Sequence, residues 1–213
     1  IAYLSKRLKI LKKNVICGFN VSCCGDERRY THLQSRKGNT LADKSLSAAL
    51  LGKENVYTKS FLERGSDERQ YNSPGIDLPL CGFSKSKWDD YPEYHTSLDN
   101  LDLITEKGLQ ESFDVIRSII DSFEVGFLPK VTNFCEPQLG KRGLYNSSDW
   151  VSFSKDQSKN LRKSLLNLRF DLLAYADGET NIFEICNLIN FQLEDVVREV
   201  KILKENSLLT DVY

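Results

Sequence analysis

The sequence predicts an α/β protein followed by a small helical domain of the winged-helix kind, on three observations. Short β-rich apolar runs end abruptly in clusters of charge, as at residues 15–24. Amphipathic helical periods separate those runs. The last fifty residues hold a short helix, a turn, a longer helix and a β-like tail. The first two features mark buried strands of an α/β sheet, where ligands bind at the carboxyl ends of strands; the third is helix-turn-helix arithmetic.

Residues 2–13 place Leu4, Leu8 and Leu11 on one helical stripe ringed by Lys6, Arg7, Lys9, Lys12 and Lys13, a surface helix packed on something apolar. Residues 15–24 read as a buried strand delivering Gly25, Asp26, Glu27, Arg28 and Arg29 at its end. Residues 41–51 read as a helix burying Ala42, Leu46, Ala49 and Leu50. The next strand, 56–62, empties into a second polar cluster at 63–71, and the two clusters read as one site. A turn at 73–75, a short apolar piece at 76–83 and a third loop carrying His95 follow. Residues 106–122 then form a regular helix with Leu109, Phe113, Ile116, Ile119 and Ile120 inward. Composition turns irregular near residue 130, and a domain boundary is expected between about 146 and 160, giving domains at 1–150 and 158–213. Helices are expected at 158–174, 181–190 and 192–206.

With 213 residues, 40% hydrophobic and 28% charged, the chain is neither disordered nor collagenous. Lys and Arg number 29 against 30 Asp and Glu, so neither nucleic acid nor a membrane is expected as the main partner, although a local basic face stays open. No apolar run approaches the roughly 18 to 20 residues that span a bilayer, and the first helix has no signal-peptide core, which predicts a cytoplasmic protein. Cys17, Cys23, Cys24, Cys81, Cys135 and Cys186 form no CxxC pair, and reduced thiols are expected. The absence of methionine and the opening inside a helix predict a piece of a longer product.

Three residues could do chemistry. His95, in a loop of aromatics and carboxylates, could serve a metal or simply bond a neighbour. Asp26, ending an apolar strand, could be a hard oxygen ligand or the start of a turn paired with Arg28 or Arg29. Asp67, after Gly65 and Ser66, has the same two readings, with Arg64 and Arg69 at hand. His32, between Thr31 and Leu33, reads as part of an ordinary surface turn.

Taken together, Gly65-Ser66-Asp67-Glu68-Arg69-Gln70-Tyr71 and Tyr94-His95-Thr96-Ser97-Leu98-Asp99-Asn100 resemble the Ser-Asp-His-x-x-Phe and Tyr/Phe-His-Thr-x-x-Asp-Thr segments of the co-catalytic zinc aminopeptidases, a group that includes glutaminyl cyclases. The strings at 63–71, 73–79 and 135–145 look like a bacterial aminopeptidase-like branch linked to polysaccharide biosynthesis, which carries a C-terminal winged helix. The resemblance covers nearly the whole chain. It implies part of a zinc-peptidase-type mixed sheet flanked by helices, one or two zinc ions, and a peptide or amide substrate. It places metal ligands on Asp26 and His95, supporting carboxylates on Asp67 and Asp99, and substrate-near side chains on Glu68, Arg69 and Tyr94. Glu68 departs from the group, which commonly has histidine there. The group's first histidine, bridging aspartate and paired acidic residues precede Asp26 in family order and have no counterpart in this chain. Hydrolysis of an unactivated amide needs a metal to polarise the carbonyl and a carboxylate to shuttle the proton, so the general base is expected N-terminal to this chain. Glu27 is a poor nominee, because adjacent residues at a strand end point to opposite faces.

In the C-terminal module, Leu172, Leu173, Ile182, Ile185, Leu188, Ile189, Val196, Val197, Val200, Ile202 and Leu203 suit a small three-helix core. Residues 191–200 offer Gln192, Glu194, Asp195, Arg198 and Glu199, a net acidic set that phosphates repel, which favours packing or oligomerisation over DNA binding. The reading is therefore the C-terminal portion of a metallo-aminopeptidase-like hydrolase. The missing N-terminal half of the fold or a second copy is the expected protein partner. The alternatives are a non-catalytic protein keeping the fold for binding and, more weakly, a winged-helix regulator.

Overall fold

The computed structural model describes residues 1–88, 90–145 and 165–212. The chain divides into two compact units, Ile1–Arg117 and Ser118–Tyr213. The boundary expected at 146–160, and the start of the helix expected at 158, lie outside the described residues.

The first unit opens with α1 (Ala2–Asn14), which buries Leu4 and leads into β1 (Gly18–Val21). Next come β2 (Tyr30–Leu33), α2 (Leu41–Ala49) and β3 (Val56–Lys59). A one-turn helix, α3 (Glu68–Tyr71), precedes β4 (Leu80–Ser84). The long α4 (Glu106–Glu124) carries the chain from the first unit into the second. The sheet order is β1-β4-β2-β3, with β1 parallel to β4, β2 parallel to β3, and β2 antiparallel to β4. This is the mixed, helix-flanked sheet expected. Its core holds Leu33, Leu46, Ala48, Leu78 and Phe83, side chains whose full burial contributes about 1.5–3 kcal/mol each for the large aliphatics and phenylalanine.

α2 starts where the sequence predicts, because Thr40 and Asp43 form a capping box: Asp43 N–H donates to the Thr40 hydroxyl, and the Asp43 carboxylate accepts from Thr40 N–H. Three expectations differ from the structure. Residues 30–33 form a strand rather than a surface turn, and His32 is buried in it. A four-residue strand between polar loops is too short for its alternation to stand out. Secondly, β1 and β3 run in opposite directions, so their carboxyl termini lie at opposite ends of the strands. It is β4 that ends beside β1. Thirdly, α4 turns Ser112, Val115, Ser118, Ile119 and Ser122 inward, leaving Leu109, Phe113 and Ile120 exposed and Ile116 half-buried. Small residues let a helix approach its support closely, so the widest apolar stripe is not the packed one.

The second unit is a winged helix. β5 (Pro129–Val131) pairs antiparallel with β6 (Leu209–Asp211), around α5 (Leu165–Tyr175), α6 (Ile182–Ile189) and α7 (Leu193–Glu205). Asn181 caps α6 by accepting from Glu184 N–H, and Asn190 ends it in a left-handed conformation, φ 56°. Ile182, Phe183, Ile185, Leu193, Val196, Val200 and Leu203 are buried, whereas Leu188, expected in the core, is exposed and Val197 and Ile202 are half-buried. Among the described residues, no helix is long and apolar enough to cross a membrane.

Candidate functional site

Beyond β1, Cys23 adopts a left-handed conformation, φ 50°, and the chain turns so that Asp26 faces inward, 6% exposed. Its Oδ1 accepts from Arg28 N–H at 2.9 Å and from the Ser86 hydroxyl at 2.8 Å, and its Oδ2 accepts from Ser86 N–H at 2.9 Å. Ser86 lies two residues past β4, so the parallel pairing of β1 with β4 brings clamp and carboxylate together. The start of α4 holds the turn from another side. Thr105 N–H bonds the Gly25 carbonyl at 2.9 Å and the Ser112 hydroxyl bonds the Cys24 carbonyl at 2.8 Å. Gly108 lies so close that a Cβ there would stand 2.2 Å from the Gly25 carbonyl oxygen.

Asp26 borders a cleft of about 410 Å³ lined also by Glu27, Arg28, Glu93, Leu98, Asn100 and Asp102. Arg28 grips Glu93 through two nitrogens, at 3.0 and 2.7 Å, and that bond holds the Glu93 carboxyl down at about 2. Glu27 accepts from Lys107 at 2.9 Å and from the Thr105 hydroxyl at 2.7 Å, and these partners hold its carboxyl below the usual range. A general base works best with a pKa near the operating pH, and both carboxylates are displaced the other way.

His95 stands exposed on the loop that carries Glu93 and Leu98, with φ 59° and its ring stacked on Tyr94 at 3.9 Å. Tyr91 ties this loop to the end of β1 by donating to Cys23 Sγ at 3.6 Å, and its ring lies 5.7 Å from that of Tyr94. Asp99 is exposed on the same loop. Asp67 and Arg69 are exposed around α3, and Asp67 makes no side-chain cap bond. Glu68 between them is fully buried. Its Oε1 accepts from Gly65 N–H at 2.9 Å and Ser66 N–H at 3.0 Å, and its Oε2 from the Asn20 amide at 2.6 Å. Glu68 thus ties the 65–68 segment to β1.

The structure joins Asp26 to the cleft and places Tyr94, His95 and Asp99 on the loop beside it. Asp67, Glu68, Arg69, Tyr94, His95 and Asp99 do not line that cleft. Sequence reading missed Ser86, Glu93 and Lys107; the polar break after the apolar piece at 76–83 was the available signal for Ser86. Carboxylate and imidazole are zinc donors by type, and Asp26 Oδ2, with one hydrogen bond, keeps a lone pair. Two donors fall short of the three protein ligands that a catalytic zinc takes.

Among the described residues one group of three ligand-type side chains lies within 4.8 Å: His32, Asp43 and Cys81, all buried. Asp43 has no capacity to spare. Its Oδ1 accepts from His32 Nε2 at 3.2 Å and Ser35 N–H at 2.8 Å, and its Oδ2 from the Ser35 hydroxyl at 2.5 Å, Thr40 N–H at 2.9 Å and the Thr40 hydroxyl at 2.7 Å. Burial pushes the Cys81 thiol well up, away from the thiolate that binds metals. The group reads as a structural hub.

The mixed sheet with its flanking helices, followed by a winged helix, is a peptidase-like architecture: a crystal structure from Clostridium acetobutylicum, of a protein described provisionally as a peptidase, matches it with a TM-score of 0.78 at 27% identity over 99% of this chain. Residues 128–211 match a winged helix-turn-helix family. The chain belongs to the family described as a domain of unknown function (DUF4910), whose model matches residues 1–126. A C. acetobutylicum protein described provisionally as a polysaccharide biosynthesis protein with an aminopeptidase-like domain is 36% identical over 152 residues, 68% of this chain. The chain spans less than half of these relatives, 33% of the latter and 45% of the solved chain.

Proposed function

We propose that this chain is part of a zinc-dependent aminopeptidase-like metallohydrolase, acting on a peptide or amide and linked to polysaccharide biosynthesis. The observation that supports it is Asp26, a buried carboxylate clamped at the ends of two parallel strands and bordering a cleft, with one oxygen that accepts a single hydrogen bond. In this reading Asp26 and His95 supply two zinc donors, and zinc, when bound, polarises the scissile carbonyl and acidifies water. Ser86 and Arg28 N–H fix the Asp26 carboxylate, Asp67 and Asp99 support the donors, and Glu68 braces the segment that carries Asp67. Arg69 and Tyr94 stand near the substrate. The remaining ligands and the general base come from outside this chain, from the other half of the domain or a second copy, and the protein works in the cytoplasm.

Zinc measured by elemental analysis on this chain and on an N-terminally extended protein tests the reading. Near-stoichiometric metal is expected in the longer protein only, with His95→Ala lowering its zinc affinity sharply and Asp67→Asn lowering it about 10 to 100-fold. Equal zinc in wild type and His95→Ala sinks the assignment. A second reading, a fold kept for binding without catalysis, is favoured by the three hydrogen bonds already on Asp26. Zinc in neither protein selects it.

A further inference from the structure

α1 carries Lys6, Arg7, Lys9, Lys12 and Lys13 and no carboxylate, so a chain of net charge −1 concentrates five cations on one 13-residue helix. At 3.6 residues per turn, Lys6, Lys9 and Lys13 fall opposite Leu4, Leu8 and Leu11, which face the unit. All five cations are exposed. Lys12 donates to the Gly75 carbonyl at 2.5 Å, whereas Lys6, Arg7, Lys9 and Lys13 pair with no acid among the described residues. Beside them on the outward face stand Tyr3, 61% exposed, and Ile10, 51% exposed, one i,i+7 pair along the helix.

We infer that the outer face of α1 is a peripheral docking surface for an anionic lipid leaflet. The pattern carries both halves of the recognition. Lysine and arginine attract the phosphate headgroups, and an aromatic and an aliphatic side chain on the same face enter the boundary beneath them. A nucleic-acid backbone would use the cations but leave Ile10 with nothing to bury against. The whole-chain charge balance, which speaks against a membrane partner, averages this separation away. Adsorption here needs no spanning segment, and each cation near an anionic leaflet strengthens binding roughly fivefold, so the helix gives weak, reversible, salt-sensitive attachment.

Vesicle co-sedimentation tests it, with phosphatidylcholine alone and phosphatidylcholine mixed with phosphatidylglycerol, at low and high salt. Binding is expected only to the anionic vesicles and is expected to fall at high salt. The triple variant Lys6→Glu, Lys9→Glu, Lys13→Glu should bind at least about a hundredfold more weakly, from three roughly fivefold terms, and Tyr3→Ser with Ile10→Ser should weaken binding at both salts. Circular dichroism on each variant checks that it is folded, which exposed substitutions on one helix face leave intact. No binding to the anionic vesicles, or equal binding by the folded triple variant, overturns the inference. Binding to polyglutamate without binding to vesicles also overturns it, in favour of an acidic protein.

Discussion

Asp43 accepts five hydrogen bonds in the interior of the first unit, and its titration makes the stability of that unit depend on pH. Burial alone would raise its pKa, but the bonds from His32, Ser35 and Thr40 win and bring it down to about 2. A carboxyl with a depressed folded pKa contributes stability that is full above its unfolded value and is lost as pH falls through the folded one. The hub is therefore expected to lose roughly 2 kcal/mol between about pH 4 and pH 2. Thermal melts of wild type and Asp43→Asn across that range check it, the variant lacking this part of the acid slope. At this scale the sequence was half legible. Asp26 announced itself as a carboxylate closing an apolar run, but Ser86, its clamp, lies 60 positions on and only strand pairing reveals it. Glu68 stands in a string that resembles substrate-contacting residues, yet its full burial among backbone N–H groups depends on tertiary approach that no local pattern encodes.

The helices of the winged module show what periodicity can establish and what it leaves open. Their existence and order were legible, because a 3.6-residue apolar repeat is a local signal. Polar partners were not. Glu199 counted as an outward acidic residue in the sequence, but the structure buries it at 2% exposure and pairs it with Arg169, with Oε1 and Oε2 on the Nε and one terminal nitrogen of the guanidinium. The same guanidinium also donates to the Leu144 carbonyl. Removing one partner leaves a buried charge, so Glu199→Ala should lower stability by about 3–5 kcal/mol, read as a shift of the denaturant midpoint. A methionine pair at both positions should recover most of that loss. Failure of Glu199→Ala to shift the midpoint would mean that the pair is open to water in solution. With Glu199 turned inward and Lys204 held by Asp211, α7 presents few free cations for a phosphate backbone.

For the whole molecule, the β1 edge of the sheet, one of its two edges, matters most. Ser22 N–H bonds the Phe83 carbonyl, so by strand alternation Asn20 and Gly18 turn their main-chain groups to β4 while Phe19 and Val21 turn theirs outward. Among the described residues no strand pairs with that side of β1. An unpaired edge seeks another strand. Light scattering of this chain alone should show self-association, with Val21→Lys shifting it toward monomer; a monodisperse wild-type monomer would count against an available edge. The α/β sheet and the winged helix were legible as classes from buried runs and helical repeats, and the mixed character of the sheet came only from the family resemblance. The opposed directions of β1 and β3 were not, since each strand looks alike from either end.

The turn that presents Asp26 also fixes the order in which the first unit can be completed. Apart from the local bond from Arg28 N–H, its restraints come from Ser86, Thr105 and Ser112, between 60 and 88 positions away. Contacts of such long separation form only after the intervening chain has closed its loops. The full set of restraints on the turn is therefore expected only after α4 has emerged and seated Gly108 against Gly25. Any competence that Asp26 confers is acquired late, once that helix has docked.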